Sequence, residues 1–279
     1  MTVEQSVSFE FFPPRTPEGT DKLRVVRREL AAFAPDFYSV TFGAGGTTRE
    51  GTLAAVTELH HDDIAAAPHL SCVGASTAEM RETLGHYHDL GVRRLVALRG
   101  DLPSGSGASG RGDFRFAREL VEFVRAETGD WFHIEVAAYP EFHPQAKSPA
   151  ADLANLVDKF AAGADSAITQ YFYNADAYFR FIDETGKLGV TAPIVPGVMP
   201  ITNYTQLARF SDGCGAEIPR WIRLKLASFG DDTASIKAFG LDVVSSLCER
   251  LLAGGAPSLH FYTLNQAGPS AAICRRLGL

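Results

Sequence analysis

Residues 68–99 read PHLSCVGASTAEMRETLGHYHDLGVRRLVALR and contain one complete strand–helix–strand unit. An apolar run at each end of this stretch predicts a strand. Between the runs, Ser76 opens the sequence S-T-A-E, in which the Ser76 and Glu79 side chains can cap the first turn of a helix. Gly91 follows the helical pattern and predicts where that helix ends. A helix between two strands favours their parallel pairing in one sheet.

The same unit repeats along nearly the whole chain. Short β-branched or aromatic runs alternate with segments whose apolar residues recur at helical spacing, as in Leu23, Val26 and Leu30. Continuous apolar runs are typical of parallel strands that are covered on both faces. We predict eight strands, at residues 7–12, 37–42, 68–73, 94–99, 133–139, 167–173, 194–199 and 258–264.

Eight strand–helix units in 279 residues predict an α/β fold of the (β/α)₈ TIM-barrel class. A doubly wound open sheet is the alternative, although no G-x-G-x-x-G follows the first predicted strand. The stretch 204–252 is too long for one helix, so we expect an extra helix near residues 221–226, in the connection after strand 7. Residues 102–112 (LPSGSGASGRG) predict a loop. No linker divides the chain, and residues 1–279 are expected to form a single domain.

The charge balance argues against a nucleic-acid-binding protein. Lys and Arg number 26 and Asp and Glu 33, which gives a net charge of −7 with neutral histidines, whereas nucleic-acid-binding proteins usually carry a basic face. The four cysteines include no C-x-x-C pair, and the amino terminus lacks the regions of a signal peptide. No run of about 18 apolar residues predicts a membrane span. We therefore expect a cytoplasmic protein that binds neither membranes nor nucleic acids.

Polar side chains occur in or after seven of the eight predicted strands. In a (β/α)₈ barrel the carboxyl ends of the strands form the active site. Burial of a polar group without a partner is unfavourable, so a shared polar pocket explains these residues together. They include Glu10, Thr41, His69, Arg99, Asp101, Tyr139, His143, Gln170, His260, Tyr262 and Asn265.

Glu10 is the most informative of these residues. Phenylalanines precede and follow it, and apolar surroundings favour the protonated carboxyl group that a general acid needs near neutral pH. The alternative is a glutamate that faces outward at a strand end. Arg99 and Asp101 point to the same side of an extended chain, either in the site or as a structural ion pair. His69 is either a ligand-binding residue or a core histidine.

Eight short motifs follow one another along the chain: SFEFFPPR (8–15), SVTFGAGGTTR (39–49), PHLSC (68–72), ALRGDLP (97–103), AAYPEFHP (137–144), AITQYFY (167–173), PGVMPI (196–201) and HFYTLN (260–265). Together they resemble the methylenetetrahydrofolate reductase family. One such motif would be a weak signal, but the ordered set covers nearly the whole chain. The chain resembles the bacterial form, which lacks a C-terminal regulatory domain.

The resemblance implies a (β/α)₈ barrel that holds FAD at the carboxyl ends of its strands. The implied reaction is reduction of 5,10-methylenetetrahydrofolate to 5-methyltetrahydrofolate by NADH or NADPH, which supplies methyl groups for methionine synthesis. It implies a ping-pong mechanism, in which the nicotinamide reduces the flavin and leaves before the folate binds. Relatives form homo-oligomers, so the resemblance also implies a homo-oligomer.

The resemblance also implies roles for individual residues, none of them a metal ligand. Glu10 matches the general acid that protonates N10 of the folate, and Asp101 matches a carboxylate that stabilises the cationic iminium. Positions that contact the folate or the nicotinamide match Gln170, Asp101, Leu226, Tyr262 and Gln266. Positions that contact the flavin match Thr41, Phe42, Ala44, His69, Arg99, Gly100, Asp101, Ala117, Tyr139, His143, Ala146, Asp152, Asn155 and Lys159.

Three residues depart from the family pattern. Gln266 stands where relatives have Arg or Lys, Asp158 where some have Arg, and Leu226 where some have an aromatic residue. These departures bear on ligand affinity more than on the chemistry. Two alternatives stay open. One is a barrel that transfers hydride directly from a nicotinamide or deazaflavin without bound FAD. The other is a non-enzymatic folate-binding module or a pterin-dependent methyltransferase domain.

Overall fold

The structure is a computed structural model that describes residues 6–42, 49–100 and 112–279. In these ranges, strands and α-helices alternate along the chain. The strands are β1 (Ser6–Phe11), β2 (Phe37–Val40), β3 (Ala66–Ser71), β4 (Arg94–Leu98), β5 (His133–Ala138), β6 (Ser166–Thr169), β7 (Ile194–Val195), β8 (Gly197–Val198) and β9 (Ser258–Tyr262). The helices are α1 (Pro17–Leu30), α2 (Arg49–His61), α3 (Thr77–Asp89), α4 (Ala117–Thr128), α5 (Pro149–Ala161), α6 (Ala175–Lys187), α7 (Tyr204–Cys214), α8 (Arg220–Ser228), α9 (Thr233–Ala253) and α10 (Ala267–Leu277).

All the strand pairs are parallel, in the order β7-β6-β5-β4-β3-β2-β1-β9-β8. β7 and β8 are the two halves of the predicted seventh strand, and they are separated by Pro196, which has no N–H to donate. β7 pairs with β6 and β8 pairs with β9, so the interrupted strand closes the sheet into a barrel. The predicted (β/α)₈ barrel is confirmed, and the open sheet is excluded because β7 and β8, at the two ends of this order, are halves of one strand.

All eight predicted strands extend one to four residues past the observed carboxyl ends. β2 ends at Val40 instead of residue 42, and β6 ends at Thr169 instead of residue 173. Tyr171, Phe172 and Tyr173 are buried in the main hydrophobic core even though they follow the strand. The apolar run therefore continues past the strand, and its pattern alone does not mark where the strand ends.

The two faces of β1 have different environments, because successive side chains of a strand point to opposite sides. Val7, Phe9 and Phe11 belong to the large core between the barrel and its helices. Ser8 and Glu10 point into the barrel. A second, smaller core fills the barrel interior, and it consists of Phe37, Ala67, Val96 and Ile168.

The carboxyl ends of β1 and β9 are joined by side chains as well as by the sheet. The Thr263 hydroxyl donates to the Glu10 carbonyl (2.6 Å). Asn265 accepts from the Phe12 N–H (3.0 Å) and donates to the Phe12 carbonyl (2.9 Å), as a paired strand residue would. These bonds hold the backbone at Glu10 and two residues beyond it.

The connection after β8 contains α7, α8 and α9. α8 (Arg220–Ser228) is the extra helix expected near residues 221–226, and that expectation is confirmed. α7 is a further helix of the same connection. In the described parts of the chain, none of these or the other helices combines the length and apolar character needed to span a membrane.

Gly197→Ala is expected to destabilise the barrel by about 1–3 kcal/mol. A Cβ at this position would lie 2.1 Å from the Thr169 carbonyl oxygen and 2.6 Å from the Tyr262 ring. Gly186→Ala is the matched control, because a Cβ there meets nothing within 4 Å in α6, and helix propensity predicts a gain of up to about 1 kcal/mol. Urea unfolding followed by circular dichroism measures both variants. An unchanged midpoint for Gly197→Ala would contradict the close packing at the split strand.

Candidate active site

Glu10 lies inside the barrel between two histidines. Its Oε2 atom is 3.4 Å from Nε2 of His69 and 3.9 Å from Nε2 of His260, and its side chain is 19% exposed. The expectation that phenylalanines surround this carboxylate is wrong, because Phe9 and Phe11 point to the opposite face of β1. The group that faces solvent at the mouth of the barrel is thus a carboxylate with imidazole neighbours.

His260 is completely buried and is held from two sides. A hydrogen bond of 2.7 Å joins its Nδ1 to Ser8 Oγ, and its Nε2 lies 3.5 Å from Ser39 Oγ. The ring of Phe37 stacks on the imidazole, with 5.9 Å between ring centroids. Sequence reasoning noted His260 but assigned it no role. The signal that could have found it is the β1–β9 register, which places Ser8 opposite His260.

Two buried polar atoms at this end of the barrel have no hydrogen-bond partner among the described residues. They are Nε2 of His69 and Oγ1 of Thr41. The approach of His69 to Glu10 is close, but it lacks hydrogen-bond geometry. Burial lowers the pKa of His69 below its ordinary value, although Glu10 acts in the opposite direction, so this imidazole is neutral at pH 7. Unsatisfied buried groups are rare, and those at the end of the barrel with Glu10 are candidates for ligand contacts.

Tyr262 lies across from Glu10 in the β1–β9 register. Its hydroxyl donates to the Thr169 carbonyl (2.6 Å), and burial raises the pKa of the phenol well above its ordinary value. Gln170 follows Thr169, and its Oε1 accepts from the N–H of Tyr171 (3.0 Å). Tyr262 and Gln170 thus line the same part of the barrel mouth, one from the β9 side and one from the β6 side.

A second group of polar residues follows β4 and β5. Arg99 donates to Oε1 of Gln145 (2.6 Å), and the N–H of Gln145 donates to Nδ1 of His143 (3.0 Å). The His143 N–H in turn donates to Asp152 (2.9 Å) at the start of α5. Gln145 connects Arg99 to His143 and was not found from the sequence, because nothing in its local pattern distinguishes it from an exposed loop residue.

Lys159 reaches this group from α5. Its ammonium group donates to the Ala137 carbonyl at the end of β5. Burial lowers the pKa of Lys159 to about 8, although Asp152 acts in the opposite direction. The preceding Asp158 points elsewhere and lies 3.7 Å from Arg118. Lys159 is thus a cation held against a strand end with little solvent around it.

Glycine is the only residue type that fits at position 100, directly after Arg99. Its φ is 84°, and a Cβ there would lie 1.9 Å from Ser71 Oγ. The Ser71 side chain of β3 therefore packs directly against the backbone that follows β4. Within the described residues, no group of three or more His, Cys, Asp or Glu side chains is arranged to bind a metal ion.

The family model of methylenetetrahydrofolate reductase matches residues 2–278 of the chain. The chain belongs to the methylenetetrahydrofolate reductase family. The resemblance seen in the eight motifs is therefore confirmed, and the family consists of oxidoreductases.

Related proteins agree with this assignment. The chain is 41% identical to the 5,10-methylenetetrahydrofolate reductase of Salmonella typhimurium, over 98% of the chain and 91% of that protein. It is 38% identical to a probable methylenetetrahydrofolate reductase (NADH) of Oryza sativa, over 98% of the chain but 48% of that protein.

A solved structure from Clostridium thermocellum has a similar fold, with a TM-score of 0.67 at 16% identity over 97% of the chain and 93% of that one. It is described as an uncharacterized protein that binds two copies of 5-methyl-5,6,7,8-tetrahydrofolic acid. At this identity the similarity concerns the fold alone.

In this methylenetetrahydrofolate reductase family member, most of the predicted site residues lie at one end of the barrel. Glu10, Thr41, His69, Gln170 and Tyr262 line or follow strands at the mouth. On the β4–β5 side lie Arg99, Gly100, Tyr139, His143, Ala146, Asp152 and Lys159. Phe42 follows β2, Ala117 begins α4, Asn155 is exposed on α5 and Gln266 is exposed before α10.

Three of the predicted site residues have a different outcome. Leu226 is completely buried in the main core, so its side chain presents no surface to a ligand in this structure. Ala44 and Asp101 lie outside the described residues, and so does nearly all of the loop predicted at residues 102–112.

Lys159→Met is expected to stabilise the protein at pH 7 by about 1–3 kcal/mol. A lysine whose pKa falls to about 8 on folding binds fewer protons in the folded state than in the unfolded state. The loss of stability caused by burying the charged lysine is complete below about pH 8. It is relieved as the pH rises toward 10.5, the ordinary pKa of lysine. The stabilisation should therefore shrink between pH 8 and pH 10.

Urea unfolding at a series of pH values measures this effect. Lys147→Met is the control, because Lys147 is exposed and changes little of its environment on folding. A gain in stability that is the same at pH 7 and pH 10 would contradict the assigned cause.

Proposed function

We propose that the protein reduces 5,10-methylenetetrahydrofolate to 5-methyltetrahydrofolate with NADH or NADPH, through bound FAD and by a ping-pong mechanism. One observation carries the proposal: a chain of this family places the Glu10 carboxylate inside the barrel mouth, 3.4 Å from His69. The name of the rice relative specifies NADH, which supports a nicotinamide donor.

The residues at the mouth fit a flavin dinucleotide. Oγ1 of Thr41 and Nε2 of His69 are buried without hydrogen-bond partners and can form hydrogen bonds with a polar ring. The Lys159 and Arg99 cations can pair with a pyrophosphate. The residues that would hold FAD are Thr41, Phe42, Ala44, His69, Arg99, Gly100, Asp101, Ala117, Tyr139, His143, Ala146, Asp152, Asn155 and Lys159. Bound FAD would supply a carrier that accepts a hydride and gives it up again.

Glu10 acts on the folate in this proposal. Its carboxyl group donates a proton to N10, which opens the five-membered ring of 5,10-methylenetetrahydrofolate to a cationic iminium. Proton donation by a positioned carboxyl group contributes typically about 10²–10⁴-fold to a rate. Asp101 supplies a negative charge that stabilises the iminium. Gln170, Tyr262 and Gln266 bind the folate or the nicotinamide, whereas Leu226 shapes the site only from within the core.

The wider setting follows from the same resemblance. We propose that residues 1–279 act as one catalytic domain, in the cytoplasm, as a homo-oligomer. Its product would supply methyl groups for methionine synthesis. The bacterial relatives support this setting. The chain covers 91% of the Salmonella protein.

The first experiment is the absorbance spectrum of freshly purified protein before and after anaerobic addition of NADH. A flavin spectrum that bleaches supports the proposal. A colourless protein that still reduces folate without added FAD would instead favour direct hydride transfer. A colourless protein whose folate reduction depends on added FAD would show that the flavin is lost during purification.

Glu10→Gln is expected to abolish folate reduction and to leave reduction of the flavin by NADH within about twofold of wild type. Only the folate half-reaction needs a proton at N10. Stopped-flow absorbance measures each half-reaction separately. Equal loss of both half-reactions would refute the role assigned to Glu10.

Thr41→Val is expected to weaken FAD binding about tenfold and to leave the protein without FAD as stable as wild type, or slightly more stable. The substitution removes a buried hydroxyl that lacks a partner, so the folded chain loses no internal hydrogen bond. Fluorescence quenching measures the FAD dissociation constant. Thr185→Val is the control, because the Thr185 hydroxyl is buried but already bonded within α6. An unchanged FAD affinity for Thr41→Val would count against this contact.

A further inference from the structure

Phe142 has an unusual backbone conformation next to the predicted site. Its φ is 57°, in the left-handed region, which bulky residues rarely occupy and which glycine adopts easily. The turn is closed by the Phe142 N–H, which donates to the Tyr139 carbonyl (3.1 Å). A phenylalanine at this position strains the backbone, and strain of this kind is concentrated at functional sites.

The ring of Phe142 is also unusually exposed. It is 50% accessible, whereas the neighbouring Pro140 is buried. Phe142 lines a narrow cleft at the mouth of the barrel together with Gln170, Tyr139 and Glu141 from the strand ends and Ala216 from the segment after α7. The cleft combines aromatic faces with an amide and a carboxylate. The cleft itself admits little more than one water molecule, so a flat ring that uses this surface would pack on the exposed face of Phe142 and not inside the cleft.

The segment around Phe142 is held rigidly on both sides. The Glu217 N–H donates to the Glu141 carboxylate (2.7 Å), and the His143 N–H donates to Asp152 (2.9 Å). Gly215 packs so closely on Pro144 that a Cβ would lie 2.6 Å from the proline ring. The exposed ring is therefore preorganised, and a ligand that packs on it loses little affinity to ordering the protein.

We propose that Phe142 is a specificity-determining residue whose exposed ring packs on a planar aromatic ring of the substrate bound beside Gln170. This inference rests on the proposed function. That function offers two sources of such a ring, the aminobenzoyl group of the folate and the nicotinamide of the donor. The experiment distinguishes them.

The test compares Phe142→Gly, Phe142→Ala and Phe142→Tyr in the FAD-loaded protein. Calorimetry gives the dissociation constant of 5-methyltetrahydrofolate, and the concentration dependence of flavin reduction gives that of NADH. FAD affinity and the melting temperature are measured alongside. Leu188→Ala is the control, because Leu188 is similarly exposed, at 52%, but follows α6 at the opposite end of the barrel.

Loss of the ring is expected to raise the dissociation constant of one substrate about three- to tenfold in both Phe142→Gly and Phe142→Ala, the effect of one aromatic pair. Phe142→Tyr should bind like wild type. Only Phe142→Gly should melt at a higher temperature, because only glycine relieves the strain at positive φ. A change for 5-methyltetrahydrofolate identifies the folate ring as the partner, and a change for NADH identifies the nicotinamide.

Two results would overturn the inference while leaving the proposed function intact. In the first, Phe142→Gly raises the melting temperature and changes neither substrate's affinity. In the second, only the affinity for FAD falls. If the wild-type protein itself binds neither 5-methyltetrahydrofolate nor NADH, the proposed function fails and this inference fails with it.

Discussion

The pairing of the first strand with the last is the constraint on which the site depends. β1 and β9 lie at opposite ends of the chain, and their parallel register sets Ser8 against His260 and Glu10 against Tyr262. Thr263 and Asn265 then bond the backbone at Glu10 and at Phe12. Closure of the barrel thus brings the carboxylate and the His260 imidazole together, and a slip of one residue would turn Glu10 out of the interior.

The barrel contains a second interior carboxylate, and the contrast with Glu10 is informative. Glu135 is 2% exposed near the opposite end of the barrel, where it accepts from Arg94 and from the Ser166 hydroxyl (2.6 Å). Its hydrogen bonds are made within the protein. Glu10 instead lies beside His69, whose buried Nε2 lacks a hydrogen-bond partner, as does the buried hydroxyl of Thr41 just after β2. A folded chain that leaves polar groups unpaired gives up stability for binding. By this criterion the end of the barrel with Glu10 is the candidate ligand site, whereas Glu135 belongs to the part of the interior that stabilises the fold.

Local patterns predicted much of the fold. The S-T-A-E sequence does form a capping box at the start of α3, with both Ser76 and Glu79 bonded as expected. Gly91 takes a φ of 82° just after that helix. The predictions were less accurate where residues are buried in the core without being paired in a strand. Residues after β6 are as apolar as the strand itself because they pack in the core, and Pro196 splits a run that the pattern shows as continuous.

The sequence alone determined the barrel class, the family and the place of Glu10 on the first strand, because a strand period of two, helical spacing and ordered motifs are local properties of the chain. Only the tertiary structure decided which side chains surround Glu10. It replaced the flanking phenylalanines with two histidines, joined Arg99 to His143 through Gln145 and buried Leu226 in the core. The physical reason is that alternation assigns each residue to a face, whereas the neighbours on that face depend on the register between strands far apart in the chain and on the closure of the barrel.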